Sequence, residues 1–102
     1  MELAPGVSIE EGRLGAFCAE HGIRHLGLFG SALRGQLRPD SDIDLLVEFE
    51  PGRTPGLLGI AQLELELADL LGRSVELRTL RDLSRYFRDE VAARARTVYG
   101  AA

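Results

Sequence analysis

The sequence predicts a single small α+β domain over residues 1–102, in which helices cover one face of a small mixed sheet. Two segments with helical apolar spacing each stop at a glycine, Gly22 and Gly72, as helices commonly do. Short apolar stretches bounded by turn residues follow both of them, which is typical of strands. With 45% apolar and 27% charged residues, the chain has the composition of a soluble globular protein and is long enough to bury a core.

The first helix is predicted over residues 8–21, where Ser8 and Glu11 form a capping-box pattern. Its apolar face consists of Leu14, Phe17, Cys18 and His21. Ile23 to Phe29 follows as a short apolar strand. Its His25 has no paired His or Cys at ligand spacing, so we interpret it, like His21, as structural.

The next strand is predicted over Asp42 to Glu50, after a link in which Ala32 to Arg34 can form one helical turn. Arg38-Pro39-Asp40-Ser41 has the composition of a turn. One strand face carries Ile43, Leu45, Val47 and Phe49, and the other carries Asp42, Asp44, Leu46, Glu48 and Glu50. We expect the first face to lie in the core and the second to remain open.

The second half of the chain predicts a helix over Leu57 to Leu71, a strand over Ser74 to Leu80 and a last helix over Leu83 to Tyr99. In the strand, Glu76 faces opposite to its apolar neighbours. The stripe of the last helix consists of Tyr86, Phe87, Val91, Ala95 and Val98. The first two strands are expected to pair as neighbours.

Charge and apolar patterning exclude several classes of function. The net charge is −4, and an acidic domain is a poor nucleic-acid binder because such affinity comes mainly from cationic contacts to phosphate. Residues 73–96 hold seven arginines against four acids, which indicates either a solvated helix face or a surface for a partner or polyphosphate. No apolar run reaches the roughly 20 residues of a membrane-spanning helix, and no signal-peptide pattern is present. The single Cys18 suits a cytoplasmic protein.

Two carboxylates on one strand face suggest a metal site. Asp42 and Asp44 are about 6.6 Å apart along the backbone, so their side chains can converge on one cation. Neighbouring carboxylates disfavour each other's ionisation unless a positive charge lies between them, and Mg²⁺ prefers oxygen ligands. Two such ions can clamp the attacking and leaving oxygens of a phosphoryl displacement.

Gly30 and Ser31 suggest a phosphate site next to these carboxylates. Glycine lets the backbone approach a ligand, and a helical turn starting there would direct N–H groups at an anion. The Ser31 hydroxyl can add a hydrogen bond, and Arg34 could reach the same phosphates. Gly-Ser alone is a common turn signal and Asp-x-Asp alone is commonly a solvated strand face, but the combination predicts metal plus triphosphate.

The segment GSALRGQLRPDSDIDLLVEFEPG resembles the signature of the minimal nucleotidyltransferases of the DNA polymerase beta superfamily. In that signature Gly-Ser is followed by a spacer of about ten residues, here Ala32 to Ser41, and then by Asp-x-Asp. The similarity runs from about residue 20 to the C-terminus. The resemblance implies a polymerase-beta-like core, in which Gly30 and Ser31 contact nucleotide phosphates while Asp42 and Asp44 bind Mg²⁺.

The family also uses a third carboxylate, commonly Asp, from a later strand. Glu76 is the matching position, where it would bind metal and assist deprotonation of the acceptor. Glutamate is one methylene longer, and the Mg²⁺ shell tolerates little distortion. A solvated strand residue is the alternative interpretation of Glu76.

The resemblance further implies an antitoxin that transfers AMP from ATP to a tyrosine hydroxyl of a partner, an all-helical HEPN-type ribonuclease toxin. The acidic balance argues against RNA as the acceptor. Two alternatives remain open. The chain could neutralise the toxin by binding and occlusion without catalysis, or it could modify a small hydroxylated metabolite at a site formed across a homodimer.

Overall fold

The computed structural model describes residues 1–36, 38 and 40–100, so Pro39 of the predicted turn lies outside the described residues. Short strands β1 and β2 come first, followed by α1, the strands β3 and β4, and α2. The chain then forms β5, a 3-10 turn, α3 and β6. Their bounds are Glu2–Ala4 (β1), Val7–Ser8 (β2), Glu11–Glu20 (α1), Ile23–Phe29 (β3), Ile43–Phe49 (β4), Leu57–Leu71 (α2), Val75–Arg78 (β5), Leu80–Asp82 (the 3-10 turn), Arg88–Arg94 (α3) and Arg96–Tyr99 (β6).

Four of the strands form one mixed sheet in the order β5-β4-β3-β6. β3 pairs antiparallel with β4 on one side and with β6 on the other, while β5 lies parallel to β4. The predicted mixed α+β fold is thereby confirmed. The expected pairing of the first two predicted strands is confirmed as well, because they are β3 and β4.

The core lies on the sheet face that carries Leu26, Leu28, Leu45 and Val47. Helices α1 and α2 contribute buried side chains to it, namely Leu14, Phe17, Cys18, Leu63, Leu67 and Leu71. α2 has the predicted bounds and ends at Gly72, whose φ of 71° is the left-handed conformation that favours glycine. Burial raises the pKa of the Cys18 thiol to about 12, so this cysteine stays protonated and packs in the core as a small apolar side chain.

The predicted start of the first helix is wrong. Residues 2–8 form the β1–β2 hairpin, which turns at Gly6 with a φ of 77°. Ser8 therefore lies in a strand, and α1 begins after Glu10 with no side-chain cap. The hairpin forms because it buries Leu3 and Val7 almost completely in the core, which outweighs the local capping pattern.

The predicted last helix over residues 83–99 is also wrong, because only Arg88–Arg94 is helical and Arg96–Tyr99 is the strand β6. The predicted apolar stripe is not buried: Tyr86 is 84% exposed and Phe87 is 50% exposed. β6 supplies hydrogen-bond partners for the free edge of β3, which would otherwise leave unpaired backbone groups beside the core.

The second sheet face is less open than expected. Leu46 lies on this face and is only 7% exposed. Ala95, directly before β6, packs on the same face against Gly27, where an added Cβ would lie 3.1 Å from the Ala95 Cβ. The segment that leads into β6 thus covers the middle of this face. Within the described residues, no helix is long and apolar enough to cross a membrane.

Candidate active site

The strand register places Asp44 directly beside Glu76. The two residues pair across the parallel β4–β5 ladder, and Asp44 pairs with Phe29 on the β3 side. Their carboxyl groups are close enough to interact directly, and a hydrogen bond between them stabilises the protonated form of Asp44. The structure therefore brings together the second and third of the three predicted carboxylates.

Asp44 has a perturbed acidity. Burial and the neighbouring acids Glu76 and Asp42 raise its pKa from 3.8 to about 6, while the positive charge of Arg78 partly opposes them. Arg78 itself forms an ion pair with Glu76. Negative charge is thus concentrated at this point of the sheet, and a cation near Asp44 would relieve it.

Asp42 directly precedes β4 and is exposed. Its spacing places it on the same strand face as Asp44, and its charge contributes to the raised pKa of that residue. Among the residues that the structure describes, no three His, Cys, Asp or Glu side chains are already gathered into a metal-binding group. Asp44 and Glu76 thus form an adjacent cross-strand pair, and Asp42 is a third acid nearby.

Gly30 lies directly against this pair. It has a φ of 76°, in the left-handed region that favours glycine. A Cβ at this position would overlap the Asp44 Oδ2 atom and would lie 3.1 Å from its Cγ. The Gly-Ser motif therefore contacts the Asp-x-Asp motif at Gly30, where the Asp44 carboxylate occupies the space that a side chain would need.

The predicted helical turn after Gly30 is present. The Arg34 N–H donates to the Gly30 carbonyl at 3.2 Å, and the Gln36 N–H donates to the Ser31 carbonyl at 2.8 Å. The exposed Arg34 side chain donates to the Gln36 side chain at 3.2 Å. Its predicted contact with phosphates stays a prediction.

A polar cavity of about 680 Å³ opens beside the turn and is lined by Ser31, Gln36, Arg38 and Ser41. Ser31 was singled out from the sequence as a phosphate contact, whereas the other three lining residues were not. They belong to the spacer between the two motifs, so the available signal was the polar composition of that spacer. The cavity can offer hydroxyl, amide and guanidinium groups to an anionic ligand.

The two histidines lie in structural contacts. The His25 Nε2 atom is 3.0 Å from the Thr97 hydroxyl, which links β3 to β6. The His21 ring packs on Phe17 with ring centroids 4.7 Å apart. These contacts fit the interpretation of both residues as structural.

We expect the metal-free protein to lose thermal stability as the pH rises from about 4 to about 6. Asp44 binds its proton more tightly in the folded chain, where its pKa is about 6, than at its ordinary pKa of 3.8. The stabilisation is therefore fully present below pH 3.8 and is lost as the pH rises through the folded-state pKa of about 6. Midpoints of thermal unfolding measured in EDTA test this, with Asp44→Asn as the comparison. A wild-type midpoint that follows the variant at every pH would contradict it.

The sequence matches the family described as "Nucleotidyltransferase domain" over residues 13–98. It is 48% identical over 56 residues to the protein adenylyltransferase MntA of Thermococcus cleftensis, covering 55% of this chain and 54% of the relative. The chain thus spans about half the length of that relative.

Solved structures have the same fold. One described as a proposed minimal nucleotidyltransferase is 45% identical, with a TM-score of 0.65, covering 82% of this chain and 87% of that one. Another is a tri-AMPylated Shewanella oneidensis HEPN toxin in complex with an MNT antitoxin. It is 22% identical with a TM-score of 0.63, covering 89% of this chain and 70% of that one, and it indicates the fold alone.

Proposed function

Because this chain belongs to the nucleotidyltransferase domain family, we propose that it transfers AMP from ATP to a tyrosine hydroxyl of a HEPN-type ribonuclease and acts as the antitoxin of that partner. The observation that carries this proposal is the contact of Gly30 with Asp44, beside the Asp44–Glu76 pair. It joins a candidate phosphate-binding turn to a cluster of acids, which is the combination that nucleotidyl transfer requires.

The donor atoms at the site fit Mg²⁺. Asp42, Asp44 and Glu76 offer only carboxylate oxygens, and a divalent cation would offset the burial and the neighbouring acids that raise the pKa of Asp44. Asp44 and Glu76 would hold the ion as neighbours, and the exposed Asp42 would complete the protein ligands. When bound, Mg²⁺ neutralises charge that develops on the reacting phosphate, and a second ion can stabilise the leaving oxygen.

The residues of this chain then divide the remaining work. Gly30 and Ser31 would bind the β- and γ-phosphates through backbone N–H groups and the Ser31 hydroxyl, and Arg34 would add a cationic contact. The acceptor oxygen forms a bond to the α-phosphorus as the bond to pyrophosphate breaks. Glu76 would take the proton of the acceptor hydroxyl, which requires Arg78 to leave its carboxylate.

The identity of the partner is supported by the named relatives. One relative is named a protein adenylyltransferase, and one structural neighbour contains an AMPylated HEPN toxin together with its antitoxin. AMP on a tyrosine would add negative charge and bulk to the toxin, as phosphorylation does. Such a change near a ribonuclease site would repel the RNA backbone and block its cleavage.

Intact mass spectrometry tests the proposal directly. We expect the HEPN-type partner, incubated with this protein, ATP and Mg²⁺, to gain the mass of one AMP unit or a multiple of it. An identical reaction in EDTA is the control and should leave the mass unchanged. A partner whose mass stays constant while its ribonuclease activity is neutralised would refute catalysis.

That last outcome is the signature of the second candidate function, neutralisation by binding alone. Leu57 and Leu58 at the start of α2 are 89% and 90% exposed, and Leu65 is 65% exposed. The opposite face of α2 is buried, so this helix is apolar on two sides, which is typical of helices that are covered in an assembly. This surface favours protein docking and is compatible with either function.

A further inference from the structure

Arg73 links the approach to β5 with the turn that precedes Asp42. Its Nη2 atom donates hydrogen bonds to the carbonyl oxygens of Arg38 and Ser41, at 2.6 and 2.7 Å. Arg73 is half-buried, and its bond to the Ser41 carbonyl is partly shielded from competing water, whereas its bond to the Arg38 carbonyl is exposed. A charged donor makes stronger hydrogen bonds than a neutral one. Both hydrogens of this nitrogen are therefore engaged by backbone rather than directed at a ligand.

The turn that Arg73 holds is also closed by its own residues. The Ser41 N–H donates to the Arg38 carbonyl at 3.0 Å, and the Arg38 N–H donates to the Ser41 hydroxyl at 3.1 Å. Asp42 is the next residue along the chain. The position of Asp42 therefore depends directly on the geometry of this turn.

The residue after Asp42 is held by the residue after Arg73. The Ile43 N–H donates to the Ser74 carbonyl at 2.8 Å, and Ser74 is the residue after Arg73. Gly72, which ends α2 with a φ of 71°, redirects the chain at this point. Asp42 thus lies between two attachments to the α2–β5 connection, one through the Arg73 side chain and one through the backbone.

We propose that Arg73 is a positioning residue that sets the placement of Asp42 and of one wall of the polar cavity. The cavity is lined by Ser41 and Arg38, the residues whose carbonyls Arg73 holds. Arg73 thus positions both Asp42, which would bind the metal, and the turn that would face the nucleotide. This inference rests on the proposed function for its effect on nucleotide binding, while its effect on the turn is independent of that function.

The binding test uses calorimetry with Mn²⁺ and a non-hydrolysable ATP analogue on Arg73→Gln. We expect the dissociation constant to rise about 10- to 100-fold, as is typical when a residue that orients metal ligands is lost. KM for ATP should rise by a similar factor, with a smaller change in kcat. Arg73→Lys should lose part of the affinity, because one ammonium cannot reproduce the planar donor geometry of arginine.

A matched control is Arg53→Gln. Arg53 also donates from Nη2 to a single backbone carbonyl, that of Glu20 at 3.1 Å, but at the other end of β4. We expect its affinity to remain within about twofold of wild type, since exposed substitutions away from a site are typically small in effect. Equal losses of affinity in the two variants would overturn the proposal, because a general loss of stability would then explain both.

Amide hydrogen exchange without ligand gives the independent readout. Arg73→Gln should accelerate exchange at the Ser41 and Ile43 amides and leave the Glu50 amide, which bonds to Gly22 at the other end of β4, unchanged. Unchanged exchange at Ser41 would overturn the proposal. If Arg73→Gln fails to fold, Arg73→Lys decides by the same two measurements, and wild-type behaviour in both refutes it. A wild-type protein that binds no nucleotide would refute the proposed function, while exchange would still decide the role of Arg73.

Discussion

Asp44→Asn is expected to abolish transfer of AMP to the partner while leaving the protein folded. The substitution removes a ligand charge at the centre of the site, and metal stabilisation of a reacting phosphate is worth several kcal/mol, or at least about a hundredfold in rate. The fold should persist because Asp44 is destabilised as an ion by burial and by Glu76. Asp42→Asn should have the same effect on transfer. Labelling of the partner with radiolabelled ATP measures both.

Glu48→Gln is the matched control for this prediction. Glu48 lies on the same face of β4 as Asp44 but pairs with Arg24 at the other end of the strand. We expect it to label the partner at the wild-type rate. Wild-type labelling by Asp44→Asn would contradict the assignment of the site. Loss of labelling with full neutralisation of the toxin would instead support the binding alternative.

Gly30→Ala is expected to eliminate transfer and to destabilise the protein. The left-handed φ of 76° costs a non-glycine residue about 1–3 kcal/mol. In addition, the new methyl group would overlap the Asp44 carboxylate and displace it from Glu76. We therefore expect a lower thermal midpoint together with a loss of activity that is at least about a hundredfold, comparable to that of Asp44→Asn.

Gly52→Ala separates the two causes. Gly52 has the same φ of 76°, yet nothing lies within 4 Å of an added Cβ. This variant should show the backbone strain alone, with a lowered midpoint and nearly unchanged transfer. If Gly30→Ala and Gly52→Ala lose stability equally and both retain activity, then the contact of Gly30 with Asp44 has no catalytic importance.

The parts of the fold that were predicted correctly have strong local signals. β4 alternates apolar residues with carboxylates, and α2 combines a continuous apolar face with a glycine at its end. These patterns predicted β4, the strand that carries Asp44, and α2, the helix that packs in the core below the sheet. The pairing of Asp44 with Glu76 was less accessible, because it depends on the register of two strands separated by α2.

The parts that were predicted wrongly depend on contacts between distant residues. The hairpin strands β1 and β2 have only three and two residues, which is too short for a recognisable alternation of apolar and polar residues. Pro5-Gly6 was nevertheless an available turn signal. β6 has only four residues and directly follows α3, so its apolar residues were assigned to the apolar stripe of one longer predicted helix. The contacts of Arg73 could not be predicted from the sequence, because its partners are backbone carbonyls, which every residue has.

The pairing of β3 with β6 has a kinetic consequence. β3 meets β4 soon after it in the chain, but Leu26 pairs with Tyr99, about 70 positions away, and such distant pairings slow folding because a long loop must close first. Arg96 at the start of β6 also donates a hydrogen bond to the Leu3 carbonyl, so the last strand contacts the first strand in the native structure. During synthesis, β3, β4 and the turn that begins at Gly30 are complete well before the strand that protects the free edge of β3. Until β6 arrives, the nascent chain exposes that edge to pairing with other chains.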